Sequence, residues 1–187
     1  MTKFDLIKKE IESILPNSPL DFELKHSELV LKWVLNLKPD ADEALKIAAL
    51  SHDIERAITK ITEKDLKDYS KIDEFKKDHS IRSAQFICNI LKKHNYPQDS
   101  IDKVKRLVEN HEFGGDEEEN ILMDADSLAY FEYSIPLGLK RNGRERTKGK
   151  IKFMYKRLSA KTKKLVNQIK FKDQEIAKLV RESISEL

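Results

Sequence analysis

The sequence predicts an all-α protein, and three observations carry that expectation. Apolar residues recur at steps of three and four along nearly all of the 187 residues, the spacing of amphipathic helices. Five Gly and five Pro are too few to punctuate a fold of many short strands. The prolines, Pro16, Pro19, Pro39, Pro97 and Pro136, fall between the periodic segments or near their ends.

Helices are expected over roughly 3–14, 21–37, 41–57, 72–94, 98–112, 118–134, 148–170 and 173–185. In the first, charge alternates with apolar residues at helical spacing. The second carries the stripe Leu29, Val30, Trp33, Val34, Leu37, extended one turn earlier by His26. Asp40 is a candidate cap for the third, whose stripe Leu45, Ala48, Ala49 runs on into His52 with Asp53 beside it. Phe75, His79, Ser83, Phe86 and Ile90 share a face of the fourth, where Cys88 sits in an apolar run and reads as a buried core thiol. Ile101, Val104, Leu107 and Val108 lead to His111 in the fifth, which Gly114-Gly115 separates from the sixth. There Ile121, Ala125 and Leu128 flank Asp124, and the acidic run from Asp116 to Glu119 suits a helix start. The seventh has the stripe Ile151, Met154, Tyr155, Leu158, Thr162, Leu165, Val166, Ile169.

The length suits one domain over residues 1–187, with a core at about 20–135 followed by a basic turn and C-terminal helices at about 136–187. Apolar residues make up 39% of the chain, within the globular range despite 37% charged residues. A lone cysteine excludes an intramolecular disulfide and a CxxC zinc site. The N-terminus lacks the apolar stretch of a signal peptide, and nothing approaches the ~20 apolar residues of a membrane span. A soluble, cytoplasmic protein with no membrane partner is therefore expected.

The net charge of +3 conceals an asymmetry: residues 140–164 hold twelve Lys or Arg against one acid, Glu145. Lys152, Lys156, Lys161, Lys163 and Lys164 fall mostly on the solvated side of the seventh helix. Lys140, Arg141, Arg144, Arg146 and Lys148 surround Asn142-Gly143 in an expected turn, where Arg141 and Arg144 are candidates for binding substrate phosphate. No recognised nucleic-acid motif accompanies this charge, which argues against a nucleic-acid partner. Tyr130, Phe131 and Tyr133 could stack on a nucleobase, although aromatics at such positions are more often core.

All five histidines prolong buried stripes at helices or helix ends. One His on an apolar face is usually a satisfied core residue, but a lone buried carboxylate such as Asp124 is expensive. Convergence on a divalent metal answers the whole set, and imidazole with carboxylate suits Mn, Fe, Ni, Co, Zn or Mg.

The order His26 … His52-Asp53 … Asp124, with Ala-Ala-Leu-Ser-His-Asp-Ile closing one helix and Leu-Met-Asp-Ala-Asp-Ser-Leu inside a later one, resembles the HD-domain superfamily of metal-dependent phosphohydrolases. The resemblance covers roughly residues 20–135. It implies an HD-type helical bundle with a C-terminal helical extension, in which His26, His52, Asp53 and Asp124 ligate one metal. A subset of the superfamily adds two histidines between the HD pair and the last Asp, where the HD aspartate bridges two metals. His79 and His111 stand in those places, as ligands or as pocket-lining residues. Several members read HDxxE, whereas here Arg56 stands in place of the Glu, more like the HDxGK form. Arg56 could contact phosphate or simply satisfy a helix end. Glu55 is off the stripe and expected in solvent.

The resemblance implies hydrolysis of a small phosphorylated metabolite, a nucleotide or dinucleotide, by metal-bound hydroxide. The catalytic set is then Asp53, Arg56, His79 and His111, with His79 or His111 donating a proton to the leaving oxygen if not a ligand. The alternatives are a metal-containing binding or regulatory protein without turnover, and a di-iron oxygenase. Oligomeric state is left open.

Overall fold

A computed structural model describes residues 1–187. Eleven α-helices and no strands make up the fold. In chain order they are α1 (Lys3–Ile14), α2 (Glu23–Leu37), α3 (Glu43–Ser51), α4 (Ile54–Thr59), α5 (Ile72–Lys93), α6 (Gln98–Asn110), α7 (Glu117–Ala129), α8 (Ile135–Asn142), α9 (Arg144–Arg157), α10 (Ala160–Val166) and α11 (Gln174–Ser185). No helix is long and apolar enough to cross a membrane.

Local chemistry starts several of these helices. Thr2 and Asp5 form a capping box on α1, and Asp116 with Glu119 forms another on α7. The cap of α3 is Asp42, whose carboxylate accepts from the Leu45 N–H, rather than the expected Asp40. Gly114, at φ +71, turns the chain between α6 and α7, as the Gly-Gly pair suggests.

Three expected helices are divided. The third breaks at His52-Asp53, where Asp53 leaves helical geometry at φ −107, ψ 12. The sixth does not stop before Pro136. It passes through a π-helical segment, Tyr130–Ser134, directly into α8, with Pro136 in the first turn of the new helix. A proline inside an α-helix presses on the carbonyl four residues back, and the wider π turn relieves that contact. The seventh breaks at Leu158, where ψ is 138, and Ser159 caps the short α10. The basic turn is a one-residue junction between α8 and α9 at Gly143, whose φ of 76 and ψ of 175 favour glycine.

α2 packs on α3 and α7, α3 on α6, and α5 on α6. Their apolar faces form the main core, in which Ile7, Val30, Leu45, Leu91, Leu107 and Leu122 are fully buried. A second cluster, with Leu128, Phe131, Ile135, Ile151 and Leu179 at its centre, joins the end of α7 to α8, α9 and α11. Trp33 and Leu37 touch both clusters, so the C-terminal helices are packed onto the bundle through α2 and α7.

Candidate metal centre

The break between α3 and α4 brings chemistry inward. His52 ends α3, and Asp53 lies in the gap, so both point into the bundle near His26 of α2, His79 of α5 and His111 at the end of α6. All five are buried. Four imidazoles follow one another: ring centroids are 5.4 Å apart for His26–His52, 5.2 Å for His52–His111 and 5.7 Å for His111–His79.

Asp53 lies across this row. Its Oδ1 is 2.8 Å from His79 Nε2 and 3.7 Å from His111 Nε2, while its Oδ2 is 3.4 Å from His52 Nε2. Two three-residue groups could therefore hold a metal ion, His26/His52/Asp53 and Asp53/His79/His111, and Asp53 belongs to both.

The opposite ring nitrogens are already committed. Nδ1 of His52 meets the Ala49 carbonyl at 3.0 Å, Nδ1 of His111 meets the Val108 carbonyl at 2.7 Å, and Nδ1 of His79 meets Glu55 Oε2 at 2.8 Å. Such bonds orient a ring and leave its Nε2 lone pair free for a metal. His52 Nε2 and His26 Nδ1 are buried with no hydrogen-bond partner. An unpaired buried polar atom is costly, so the His52 Nε2, which faces Asp53 and Asp126, fits a donor set that could close around a cation.

The electrostatics agree. Burial opposes ionisation of Asp53, but Arg56 and His52 outweigh it and hold the carboxyl well below its usual range. Burial likewise opposes charge on His52, yet Asp53 and Asp126 hold its pKa up at about 9. The cluster draws in positive charge.

Asp124 does not join the cluster. Its carboxylate accepts from the Ser159 N–H at 2.9 Å and the Ser159 hydroxyl at 2.7 Å, tying α7 to the start of α10. Asp126 takes the inward place, with Oδ1 2.9 Å from His26 Nε2 and 3.8 Å from His52 Nε2. Residues two apart on a helix point to nearly opposite sides, so only one of the pair can face His26. Leu122, Ala125 and Ala129 belong to the main core, and Asp126 shares their face. Leu128, four residues after Asp124, belongs to the second cluster. Asp126 thus stands at i+4 from Leu122, on the face that meets the main core.

Other expectations are also corrected. Glu55 is fully buried and not solvated: it holds His79, Arg82 and Thr59 through hydrogen bonds. Burial pushes its carboxyl up, but the bonds from His79 and Arg82 prevail and leave it at about 2. His94 lies away from the cluster, bonding Glu10 at 2.6 Å on a partly exposed face, so four histidines converge and not five. Arg144 is exposed and pairs with Glu182, and nothing places it at the site. Arg56 does reach the cluster, bonding Asp53 and Glu23.

A cavity of about 660 Å³ opens against the cluster through His26, Asp53, Arg56 and Asp126. His79 and His111 do not line it; they meet Asp53 Oδ1 from the bundle interior, in a group that could hold a metal ion. Arg141 does line the cavity, paired with Asp21 and stacked 5.1 Å from the Phe22 ring centre. Tyr130 is on the wall, whereas Phe131 is fully buried in the second core cluster.

A chain of ion pairs that the periodicity did not reveal runs along one side. Arg157 of α9 bonds Asp126, the Ser127 hydroxyl at 2.7 Å and Glu112 at 3.0 Å, and Glu112 in turn accepts from Lys76 at 3.2 Å. Lys76, Glu112 and Arg157 carry charge on otherwise buried faces, and that breach of the apolar pattern was the available signal.

The fold and this site define an all-helical protein whose buried His/Asp groups could hold a metal ion. The family model described as "Domain of unknown function (DUF4202)" matches residues 8–180, and the chain belongs to that family. Comparison with curated proteins and with solved structures gives no match.

Proposed function

We propose that the protein is a metal-dependent phosphohydrolase of the HD-domain type, acting on a small phosphorylated metabolite, in which His26, His52, Asp53, His79 and His111 would hold divalent metal. The observation that carries this reading is Asp53, whose two oxygens face two ligand groups beside a cavity lined by cations. A divalent ion held by these residues would supply Lewis-acid chemistry, in a site of imidazole and carboxylate donors suited to Mn, Fe, Co, Ni or Zn.

The chain's own residues do the rest. Asp53 and Asp126 are kept ionised, so each remains a pure acceptor. Glu55 fixes the His79 ring with its Nε2 toward Asp53. Arg56 stands at the cavity end beside Asp53, where its fork can take a phosphoryl oxygen and stabilise charge that develops there. The closed bundle behind the four rings keeps bulk water from the ligands' far side.

The test incubates purified protein with Mn, Co, Ni, Fe or Mg and a panel of phosphate mono- and diesters, under nitrogen and in ¹⁸O-labelled water. Oxygen-independent release of phosphate or nucleotide carrying the label supports hydrolysis. A strict requirement for iron and dioxygen would move the site to oxygenase chemistry. Tightly bound metal with no turnover would make it a binding protein.

A further inference from the structure

Away from the His/Asp cluster the cavity wall is predominantly cationic. Leaving aside Asp53, Arg56 and Asp126, its wall carries five cations, Lys64, Lys76, Arg141, Arg146 and Lys150, against three carboxylates, Glu63, Asp73 and Glu112. Three cations gather around the ring of Phe153. Lys76 Nζ lies 3.4 Å from its centre, and Lys150 Nζ and Arg157 Cζ each lie 5.4 Å away. Glu112 serves both Lys76 and Arg157, and Lys150 has only Glu63, at 3.2 Å.

Lys76 is the informative residue. Its side chain is 4% exposed, and its single acceptor leaves two of the three ammonium donors uncommitted. Burial pushes its pKa down to about 8, against the pull of Glu112. Its carboxylate partner, Glu112, is shared with Arg157, which also holds Asp126, and the Lys76 ammonium lies on the cavity wall. Arg146 adds a guanidinium on the same wall, stacked 5.5 Å from the Tyr69 ring centre and paired with no carboxylate.

We propose that Lys76 and Lys150 form a second anion subsite, so that the substrate carries at least two phosphoryl groups, one at the His/Asp cluster and one on this cationic ledge. The proposal rests on the phosphohydrolase reading and deepens it. The ion-pair chain Asp126–Arg157–Glu112–Lys76 links the two positions and sets their separation. A cavity of about 660 Å³ falls within the roughly 300–1,000 Å³ of small-molecule sites and leaves room for both groups.

The test is calorimetric titration of the metal-loaded protein, in excess Mg²⁺ so that chelation in solution stays constant. The probes are inorganic phosphate, inorganic pyrophosphate, and the 5′-monophosphate and 3′,5′-bisphosphate of adenosine. The expected result is at least tenfold tighter binding of pyrophosphate than of phosphate, or of the bisphosphate than of the monophosphate. Lys76→Met and Lys150→Met should each remove about tenfold of that preference. Should Lys76→Met fail to fold, Lys150→Met decides alone. Equal affinity for one and two phosphoryl groups, or a preference untouched by Lys150→Met, overturns the proposal. Because binding is read without turnover, a protein that shows the preference but hydrolyses nothing overturns only the hydrolase reading. One that hydrolyses monoesters without the preference overturns only the subsite.

Discussion

Replacing each aspartate of α7 by alanine distinguishes the carboxylate tied to Ser159 from the one that faces His26. Asp124 accepts two bonds from Ser159, itself at the surface, so the Asp124→Ala protein loses two net hydrogen bonds whose donors can turn to water. At about 1 kcal/mol each the cost is about 2 kcal/mol, roughly a 4–8 °C drop in Tm for a chain of this size. Metal content should not change. Asp126→Ala removes the partner of His26 and one of the partners of Arg157, which retains Glu112 and Ser127. Breaking a buried pair costs about 3–5 kcal/mol, and the retained partners put this case near the lower figure. Its metal occupancy should collapse. The assay is elemental analysis after reconstitution and dialysis, with circular dichroism melts of the same samples. His94→Ala serves as a control, because that ring pairs with Glu10 away from the cluster and should leave metal content unchanged. Full occupancy in Asp126→Ala together with loss in Asp124→Ala would refute the assignment of helix face.

Two further outcomes follow from the buried network. Arg157→Met should leave Asp126 with His26 and Glu112 with Lys76 alone, costing about 3 kcal/mol and lowering metal affinity about 10–100-fold, read by competition with a chromogenic chelator. Glu55→Gln should flatten the acid limb of stability in chelator-treated protein. The folded carboxyl lies at about 2 against an ordinary 4.5, so its contribution is whole above pH 4.5 and fades as pH falls toward 2. Parallel acid melts of the wild type and Glu55→Gln check this, and identical slopes between pH 4.5 and 2 would remove Glu55 from the network.

The helices and the convergence of His26, His52 and Asp53 were legible because both depend on local period. His26, His52 and Asp53 extend apolar stripes, and a stripe marks the side of a helix that faces inward. Asp124 and Asp126 show where that signal stops. Both are buried, because α7 lies between two apolar clusters and has two inward faces. Choosing between them requires knowing which face meets α2, a tertiary fact. Glu55 read as solvated because its partners, His79 and Arg82, lie 24 and 27 residues away on another helix. The breaks at Asp53 and Leu158 were hidden because apolar spacing continues across them while the backbone does not.

The density of buried charge bears on why this centre exists at all. Glu23, Asp53, Glu55, Glu112 and Asp126 are all buried, and so is Lys76, with the side chains of Arg157 and Arg56 largely covered. Exchanging such a network for well-packed apolar side chains is often neutral or stabilising, so stability alone gives no reason to keep it. The charge is also unevenly arranged. Arg157 and Lys76 neutralise the side formed by Asp126 and Glu112, while Asp53 has Arg56 and a row of imidazoles, two of whose nitrogens stand unpaired. The shortage of positive charge thus lies where the ligand groups meet, and a divalent ion is the species that would supply it. Arg157 comes from α9, well beyond the His/Asp segment, so the C-terminal helices complete the charge balance of the centre. Cutting the chain before α9 would leave Asp126 and Glu112 buried without Arg157. That penalty, more than any lost apolar contact, is the physical reason to treat α8–α11 as part of the site.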